Sequence, residues 1–422
     1  MYIFHRKNFK YFAFIVVVSI ALFFISCSNF KDEKKSIKFV WFGSEVEEKV
    51  IREIVADFEK ENPDIEVVIQ MVEWMRFNEK LKTMLLGRRA PDISRISVQW
   101  CKGYAELGAF TDISDLIPKE EIDDFVDPRL ASCKDGTILF GLPHSSIGLM
   151  MFYNEDAVKK AGIKIPETPE ESWTWKELED NCKTVMGKGG IQYGWSTFRG
   201  FFPFIPFFYQ NGGRVFNDEL THSTFARKEN VEALEWFIDQ HKRGIAPISS
   251  WTGGDPGADL FMRGFCAFHI TGNWSLVTFS NRITEFKWGV TYLPRQKRRA
   301  TNIGGENLVI FNTKNREPAV KLLRFMTGKE QIERFSKKAL FIPTRKSLLE
   351  SGFEYEKYNE FMKKFVIQSK DFEPEWAVEQ SLTEFSELEN DLLKNVELAV
   401  LGQETPEEAM KSVDKEFDNL RK

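Results

Sequence analysis

Large aromatic side chains occupy segments that the sequence predicts to be loops. Trp74 precedes a predicted helix, Trp100 follows a predicted strand and Trp274 ends another. Rings in loops are costly to expose unless they pack or bind something. A sugar offers flat C–H patches bordered by hydroxyls, so a ring face beside polar side chains suits it. For any single ring, packing at the edge of a domain core explains its position as well as ligand binding does. The other loop aromatics are Trp195, Phe201, Phe202, Phe204 and Trp251.

Signatures of common catalytic and metal sites are missing from the sequence. There is no GxGxxG, Walker loop, GxSxG or HExxH pattern, and no two of the five histidines are three or four residues apart. A catalytic pair of carboxylates for glycoside cleavage remains an alternative, because the fold and not the spacing in sequence sets the distance between the two groups. The sequence therefore predicts binding rather than catalysis, without a cofactor or metal.

The first part of the chain alternates strands with helices, as in a mostly parallel sheet covered by helices on both faces. Such sheets bind ligands at the carboxyl ends of their strands. Glu45 and the segment 97–100 follow two of these strands. The predicted strands are 36–42, 65–71 and 91–96, and the predicted helices are 45–60 and 77–86.

The alternation starts again after Thr168. Thr174 and Glu177 fit the start of a helix, with the threonine as its N-cap. The tail from about residue 353 to 422 has a helical pattern, interrupted by Pro374 and by 402–406. The other predicted elements are strands at 265–270, 287–293 and 308–311 and helices at 230–241 and 317–326.

Composition bounds the possible functions. The chain has 422 residues, enough for two or three domains. A net charge of −5 gives no basic field for nucleic acid. With 29% charged residues and 42% hydrophobic ones, the chain is neither disordered nor a polytopic membrane protein.

The N-terminus is typical of an export signal. Arg6, Lys7 and Lys10 precede an apolar run from 11 to 25, which is too short for a stable transmembrane helix. We expect residues 1–26 to be a signal peptide and 27–35 a polar tether. Export would place four more cysteines in an oxidising setting, where disulfide pairing is an alternative. The favoured role is that of small apolar side chains buried in the core. These are Cys101, Cys133, Cys182 and Cys266.

Ten short motifs carry a resemblance to a known family. In their order along the chain, they resemble the extracellular solute-binding proteins of bacterial ABC importers, in the group that binds sugars and is similar to maltose-binding protein. Ser26 and Cys27 likewise resemble a lipoprotein box, in which Cys27 would carry the lipid; an ordinary cleaved signal is the alternative. The motifs are FEKENP at 58–63, APDI at 90–93, GLP at 141–143, FYNED at 152–156, QNGG at 210–213, FMRGFCAF at 261–268, GNW at 272–274, GGEN at 304–307, IPTRK at 342–346 and GQETPEEA at 402–409.

The resemblance implies an α/β fold of the periplasmic-binding-protein type, class II. Two lobes, each a mixed sheet flanked by helices, would close over a ligand, and the C-terminal segment would be helical. The implied first lobe is 36–143 plus 300–346. The implied second lobe is 150–290 plus 350–422. The crossings would lie near 144–149, 291–299 and 347–349.

The resemblance also implies ligand-binding residues. Trp274 matches the stacking tryptophan of the second lobe, and Glu45 matches an acidic position that accepts sugar hydroxyls. Phe202 matches a position at which the family has another ring that stacks on the ligand. His144 is more readily a hinge residue than a ligand contact. The remaining implied positions are Gln99, Trp100, Trp195, Trp251, Asp255, Glu306 and Arg345.

On this resemblance the chain is a binding subunit and not an enzyme. It would be a monomer, held at the outer membrane face or in the periplasm by its lipid, and would hand a carbohydrate to membrane permease subunits. Two alternatives stay open: the same scaffold binding a non-sugar solute, and a glycan-degrading surface lipoprotein.

Overall fold

The computed structural model of the chain describes residues 34–421. The predicted signal peptide, Cys27 and nearly all of the tether lie outside the described residues. The strands are β1 (Lys35–Trp41), β2 (Ile65–Met71), β3 (Ile93–Ser97), β4 (Lys134–Asp135), β5 (Ile138–Leu139), β6 (Gly141–Asn154), β7 (Tyr193–Thr197), β8 (Cys266–Gly272), β9 (Trp288–Thr291) and β10 (Ile303–Ile310).

Helices connect and cover these strands, and short 3-10 segments lie at Pro169–Glu171, Ile248–Ser250 and Ser369–Asp371. A π-helical turn at Val185–Gly189 extends the seventh helix. The α-helices are α1 (Glu45–Glu61), α2 (Trp74–Leu86), α3 (Val98–Glu106), α4 (Lys119–Asp123), α5 (Asp127–Ala131), α6 (Glu155–Ala161), α7 (Trp175–Thr184), α8 (Phe201–Gln210), α9 (Lys228–Lys242), α10 (Gly257–Met262), α11 (Ser275–Arg282), α12 (Arg316–Thr327), α13 (Lys329–Ala339), α14 (Lys346–Glu350), α15 (Asn359–Gln368), α16 (Pro374–Gln380), α17 (Thr383–Glu387), α18 (Glu389–Val400) and α19 (Pro406–Leu420).

Eight strands form one hydrogen-bonded series in the order β2-β1-β3-β10-β6-β8-β7, with β9 also paired to β6. β1 runs parallel to β2 and β3, and β10 runs antiparallel to β3 and β6. β8 and β9 are antiparallel to β6, whereas β7 is parallel to β8. The sheet is therefore mixed, as expected from the sequence.

The fourteen-residue strand β6 joins the two lobes. It pairs with β10 as far as Gly148 and with β8 from Leu149 onward. On one side, β1, β2, β3 and β10 pack with α1, α12 and α13 around residues such as Phe39 and Phe58. On the other, β7 and β8 pack with α7, α8, α9, α18 and α19. The fold is thus two-lobed, while the exact lobe bounds given above stay a prediction.

Helix starts follow the local sequence. The hydroxyl of Ser44 accepts from the backbone N–H of Glu47, whose carboxylate accepts from the N–H of Ser44 in return. The predicted cap at Thr174 is confirmed, since Thr174 and Glu177 form the same reciprocal pair. Such pairs satisfy N–H groups that the first helical turn leaves free.

The segment 201–210 is a helix and not the predicted loop. Gly200, Pro203 and Pro206 are turn signals in the sequence, but Pro203 lies in the first turn, where a missing N–H costs nothing. Nine of the ten residues of α8 are buried, so tertiary packing holds the helix despite Pro206 in its interior. The residues that pack around α8 therefore stabilise a helix although Gly200, Pro203 and Pro206 favour a turn.

The four cysteines of the described residues are buried and free, in line with their expected role as small apolar side chains. Burial raises the pKa of the Cys101 thiol to about 12, although a hydrogen bond from Asn307 opposes the shift. The thiol is therefore protonated at neutral pH.

Candidate ligand-binding site

The strand register brings the carboxyl ends of β3 and β8 to one junction between the lobes. Glu306 of β10 is level with Ser97, the end of β3, and with Ser145 of β6. Gly272, the end of β8, is level with Leu149 of β6. Four residues of β6 separate these two levels, or about 13 Å at about 3.3 Å per residue. The ends of β3 and β8 thus point towards each other and are offset along β6 by this distance.

The first lobe presents a stack of aromatic rings at this junction. The rings of Trp74 and Trp100 are parallel, with centroids 4.8 Å apart, and Phe77 stacks on Trp100 at 6.0 Å. Phe42, just after β1, backs Trp74 at 4.9 Å. Trp74 is 44% exposed, so the stack has a free outer surface. Trp100 and Gln99 lie in the helix α3, not in the loop predicted for them.

Trp274 lies at the corresponding edge of the second lobe. It precedes α11 and is half-buried, and its indole lies against the backbone of Gly272. A Cβ at position 272 would be 1.9 Å from Cζ3 of the indole, so only glycine allows this packing. Phe198 and Phe202 are neighbours, with ring centroids 6.0 and 5.9 Å from Trp274. One indole face is thus supported, and part of the ring stays accessible.

A narrow recess lies between the two lobes beside these rings and has a volume of about 10 Å³, the room of about one water molecule. Gln99 reaches it from the first lobe and Phe202 from the second, so the structure brings these two predicted residues together. Asn302, on the chain returning to β10, donates from Nδ2 to the carbonyl of Phe202 at 3.2 Å. The polar side chains lining it are Gln99, Asn302, Gln380, Ser386 and Glu389.

Glu306 does not face the recess as a free carboxylate. One of its oxygens accepts from Arg95 at 2.9 Å and from the hydroxyl of Ser145 at 2.5 Å. Arg95 is 1% exposed, binds Glu47 at 2.5 Å and lies 4.5 Å from the ring of Trp41. Burial alone would lower the pKa of Arg95, but its two carboxylate partners raise it. Glu306 therefore neutralises a buried cation, and we remove it from the ligand contacts.

His144 and Arg345 are interior residues too. His144 packs edge-on against Trp41 and Phe335, and burial holds its pKa well below the usual value. Arg345 is 5% exposed and binds Asp124 at 3.0 Å with its guanidinium over a phenyl ring. Neither side chain is free to contact a ligand, so we remove both from the site.

Trp195 and Trp251 belong to the core of the second lobe. They are 1% and 0% exposed. Trp195 lies in β7 with its ring parallel to that of Trp236, and Trp251 packs edge-on against Phe204 and Phe237. The prediction that these indoles bind ligand is not supported, because their faces are covered by other side chains.

Glu45 and Asp255 are exposed at strand ends. Glu45 is the first residue of α1, beside Glu48, Lys49 and Arg52 on the same helix. Asp255 precedes Gly257, whose Cα approaches the end of β7 so closely that a Cβ would be 2.3 Å from the carbonyl of Thr197. Both carboxylates are exposed, and their contact with a ligand stays a prediction.

Asn302, Glu389 and Phe198 were not predicted from the sequence. Asn302 and Glu389 lie about 100 and 190 residues from Phe202 along the chain, and no local pattern marks them. Within residues 34–421, no group of three or more His, Cys, Asp or Glu side chains could hold a metal ion. No helix in the same range is long and apolar enough to cross a membrane.

The sequence model of the bacterial extracellular solute-binding proteins matches residues 43–333. The chain belongs to this family. Among solved structures, the ABC substrate-binding protein Lmo0181 from Listeria monocytogenes, in complex with cycloalternan, is 25% identical to this solute-binding protein. It has a TM-score of 0.82 over 92% of this chain and 99% of that one.

Maltose-bound MalE3 of T. maritima has the same two-lobed fold, with a TM-score of 0.78 and 23% identity over 91% of this solute-binding protein and 99% of MalE3. The sn-glycerol-3-phosphate-binding periplasmic protein UgpB of Escherichia coli (strain K12) is 26% identical over 279 residues. That match covers 60% of this chain and 59% of UgpB.

Proposed function

We propose that this protein is the substrate-binding subunit of a bacterial ABC importer whose ligand is a mono- or oligosaccharide. The observation that carries the proposal is the pair of aromatic surfaces at the junction: the Trp74–Trp100 stack of one lobe and the half-buried Trp274 of the other. Rings in this setting offer the flat apolar faces on which sugar C–H groups pack. The cycloalternan bound to the Listeria relative is also a carbohydrate.

The binding site in this proposal contains the side chains that remain accessible at the junction. Trp274 and Phe202 of the second lobe would pack on one side of a sugar. On the other side, the first lobe would offer Gln99 and the Trp74–Trp100 stack, whose exposed ring is Trp74. Hydroxyls would donate to polar groups at the rim. The carboxylates proposed for this rim are Glu45 and Asp255.

Capture would involve no chemical change of the ligand. A sugar that contacts both lobes stabilises the closed arrangement by its difference in affinity between open and closed forms. The permease subunits would then recognise the closed form, and an ATPase outside this chain would power transport. Cys27 would attach the mature chain to the membrane through lipid, which stably anchors a water-soluble protein.

Intrinsic fluorescence titration tests the ligand class. The chain has 11 tryptophans, and those at the junction should be quenched when a sugar packs on them. We expect a saturable change with at least one member of a panel of mono- and oligosaccharides. No response to any carbohydrate would contradict the proposal.

Membrane fractionation tests the lipid anchor separately. The wild-type protein should sediment with membranes, and the Cys27→Ser variant should appear in the soluble fraction. If the variant stays membrane-bound, Cys27 is not the point of attachment.

A further inference from the structure

The amino ends of β1 and β3 form an exposed edge of the first lobe, which we call the basal edge. Asn312 Nδ2 donates to the carbonyl of Gly108 at 2.6 Å. Asn315 Nδ2 donates to the carbonyl of Ser36 at 3.0 Å and to the carboxylate of Asp92 at 3.2 Å. These bonds join the start of β1 and three loops into one surface, at the opposite end of β3 from the junction. The three loops are 87–92, 107–110 and 311–315.

Two leucines on the basal edge are largely exposed. Leu86 is 88% exposed and Leu107 is 76% exposed. They lie at the ends of the neighbouring helices α2 and α3, which are joined by a 2.6 Å hydrogen bond from Tyr104 to Asn78. A single exposed leucine is ordinary. Two of them at the end of one helix pair give the basal edge an apolar surface.

Unpaired cations lie beside these leucines. Arg88 and Arg89 follow Leu86 directly, and Lys314 lies in the loop 311–315. None of the three, nor Lys34 or Lys35 at the start of the described chain, forms an ion pair within residues 34–421. The exposed carboxylates without an ion pair near this edge lie towards β2 or on α12, and they are Glu61, Asp64, Glu66 and Glu317. The surface around Leu86 is therefore apolar and basic.

The proposed lipid would keep the basal edge close to a membrane. Lys34 is seven positions after Cys27, and seven residues span at most about 25 Å. Because Lys35 is the first residue of β1, the start of this strand cannot lie much farther than that from the lipid. A short tether gives a high effective concentration to a contact that would be weak on its own.

We propose that the basal edge is a membrane-contact surface, in which Leu86 and Leu107 enter the headgroup region of a bilayer and Arg88 and Arg89 bind its anionic lipids. Basic side chains are attracted to an anionic bilayer, and the leucines add apolar burial. The inference goes beyond ligand capture and rests on the lipid attachment in the proposed function. Since the junction is at the other end of β3, the contact leaves the ligand site unobstructed.

A fluorescent label at each end of α2 tests the contact. The lipidated protein, with a cysteine added by Leu86→Cys or by Met75→Cys, would be labelled and placed in vesicles of phosphatidylcholine and phosphatidylglycerol that contain spin-labelled lipid. Met75 is the matched position, because it is 80% exposed at the other end of the helix, about 16 Å away. The wild type is the blank, since the four cysteines of the described residues are buried.

We expect the spin-labelled lipid to quench the label at position 86 and not the label at position 75. Quenching at position 86 should fall in vesicles of phosphatidylcholine alone, because the anionic headgroups are then missing. Equal quenching at both positions, or none at position 86, would overturn the inference. Equal quenching with and without phosphatidylglycerol would refute the binding of anionic lipids by the arginines.

Charge variants assign the contact to the arginines. Arg88 has a φ of 52°, in the left-handed region that favours glycine, so Arg88→Gly removes a cation without adding backbone strain. Combined with Arg89→Gln, it should lower the ratio of quenched to unquenched label at position 86 by about tenfold or more. Thermal unfolding should stay close to that of the wild type. The matched control neutralises two exposed lysines of the second lobe, Lys188→Gln and Lys242→Gln, and should leave quenching unchanged.

The outcomes separate this inference from the proposed function. No saccharide is present, so a failure to bind sugar does not alter the result. If the wild type does not sediment with membranes, the lipid anchor is refuted and the inference with it. If the wild type sediments but the label at position 86 is not quenched, or the arginine variant is quenched as strongly as the wild type, the contact at the basal edge alone is refuted.

Discussion

Removing the indole of Trp274 should weaken saccharide binding more than it weakens the fold. A buried tryptophan covers about 150–250 Å². Here one face already lies on Gly272, so a ligand can cover roughly half of that area. At about 25 cal/mol per Å², this corresponds to about 2–3 kcal/mol, or about 30- to 150-fold in affinity. Because the side chain is only half-buried, the free energy of unfolding should fall by less than in a core deletion.

A second variant tests the position of the ring rather than its presence. In Gly272→Ala the new Cβ would lie 1.9 Å from Cζ3 of Trp274, so the indole must swing away from the strand. The backbone of Gly272 is not in the left-handed region, so the strand itself tolerates alanine. Gly272→Ala should therefore weaken binding with Trp274 still present.

Isothermal titration calorimetry is the suitable assay, because both variants alter the fluorescence signal itself. Trp288→Phe is the control: Trp288 pairs with Asn154, five residues of β6 beyond the level of Gly272, so it lies well away from the junction. It should bind as the wild type does. Wild-type affinity in Trp274→Ala would remove Trp274 from the site. Wild-type affinity in Gly272→Ala alone would show that packing on Gly272 does not position the ring.

Three further predictions concern closure and stability. Thr383→Val removes the hydroxyl that donates to Glu106 across the lobes at 2.5 Å, so ligand release followed by stopped flow should accelerate by about two- to tenfold. Arg95→Ala leaves two buried carboxylates without their cation and should cost about 3–5 kcal/mol in urea unfolding. For Glu179, burial raises the pKa, but hydrogen bonds from Lys183, Arg243 and Gln240 outweigh it and lower the pKa to about 2. Its stabilisation, about 1–3 kcal/mol, is full above the unfolded pKa near 4.5 and is lost as the pH falls towards 2. Glu179→Gln should lack that part of the pH dependence in urea unfolding.

Each of these three has an outcome that contradicts it. Unchanged release from Thr383→Val would mean that the contact between α17 and α3 does not hold the closed form. Wild-type stability of Arg95→Ala would mean that Glu47 and Glu306 find other partners. A Glu179→Gln variant that loses stability between pH 5 and 2 as steeply as the wild type would assign the acid sensitivity to other groups.

Local patterns were enough to predict most of the secondary structure. The predicted strand 65–71 has the observed bounds of β2, and the helix predicted from Glu45 begins there. In both cases one apolar face and clear end signals agree with the tertiary packing. The loop prediction for 201–210 was wrong. Two prolines and a glycine indicated a turn, whereas side chains from distant parts of the chain surround the segment as a helix.

The site was harder to predict because burial depends on partners far along the chain. Trp195 and Trp274 look alike in sequence, because Trp195 follows Gly194 and Trp274 lies two residues after Gly272. Trp236 covers the first, whereas only Phe198, Phe202 and backbone support the second. Which rings stay accessible is decided by those contacts and not by their own neighbours in sequence.

Charged residues show the same dependence. Glu306 was expected to contact the ligand, but its carboxylate already binds Arg95, 211 positions away. Glu389 gave no signal in a tail rich in acidic residues, yet it caps α8 from 188 positions away. A carboxylate in a sequence predicts charge; whether that charge is free for a ligand is set by the fold.

A crystal structure of the mature protein with its best-binding neutral saccharide is the most direct test of the central claim. The predicted result is a sugar ring packed on the indole of Trp274 between the ends of β3 and β8. A saccharide bound elsewhere, or a junction closed by protein side chains alone, would contradict it.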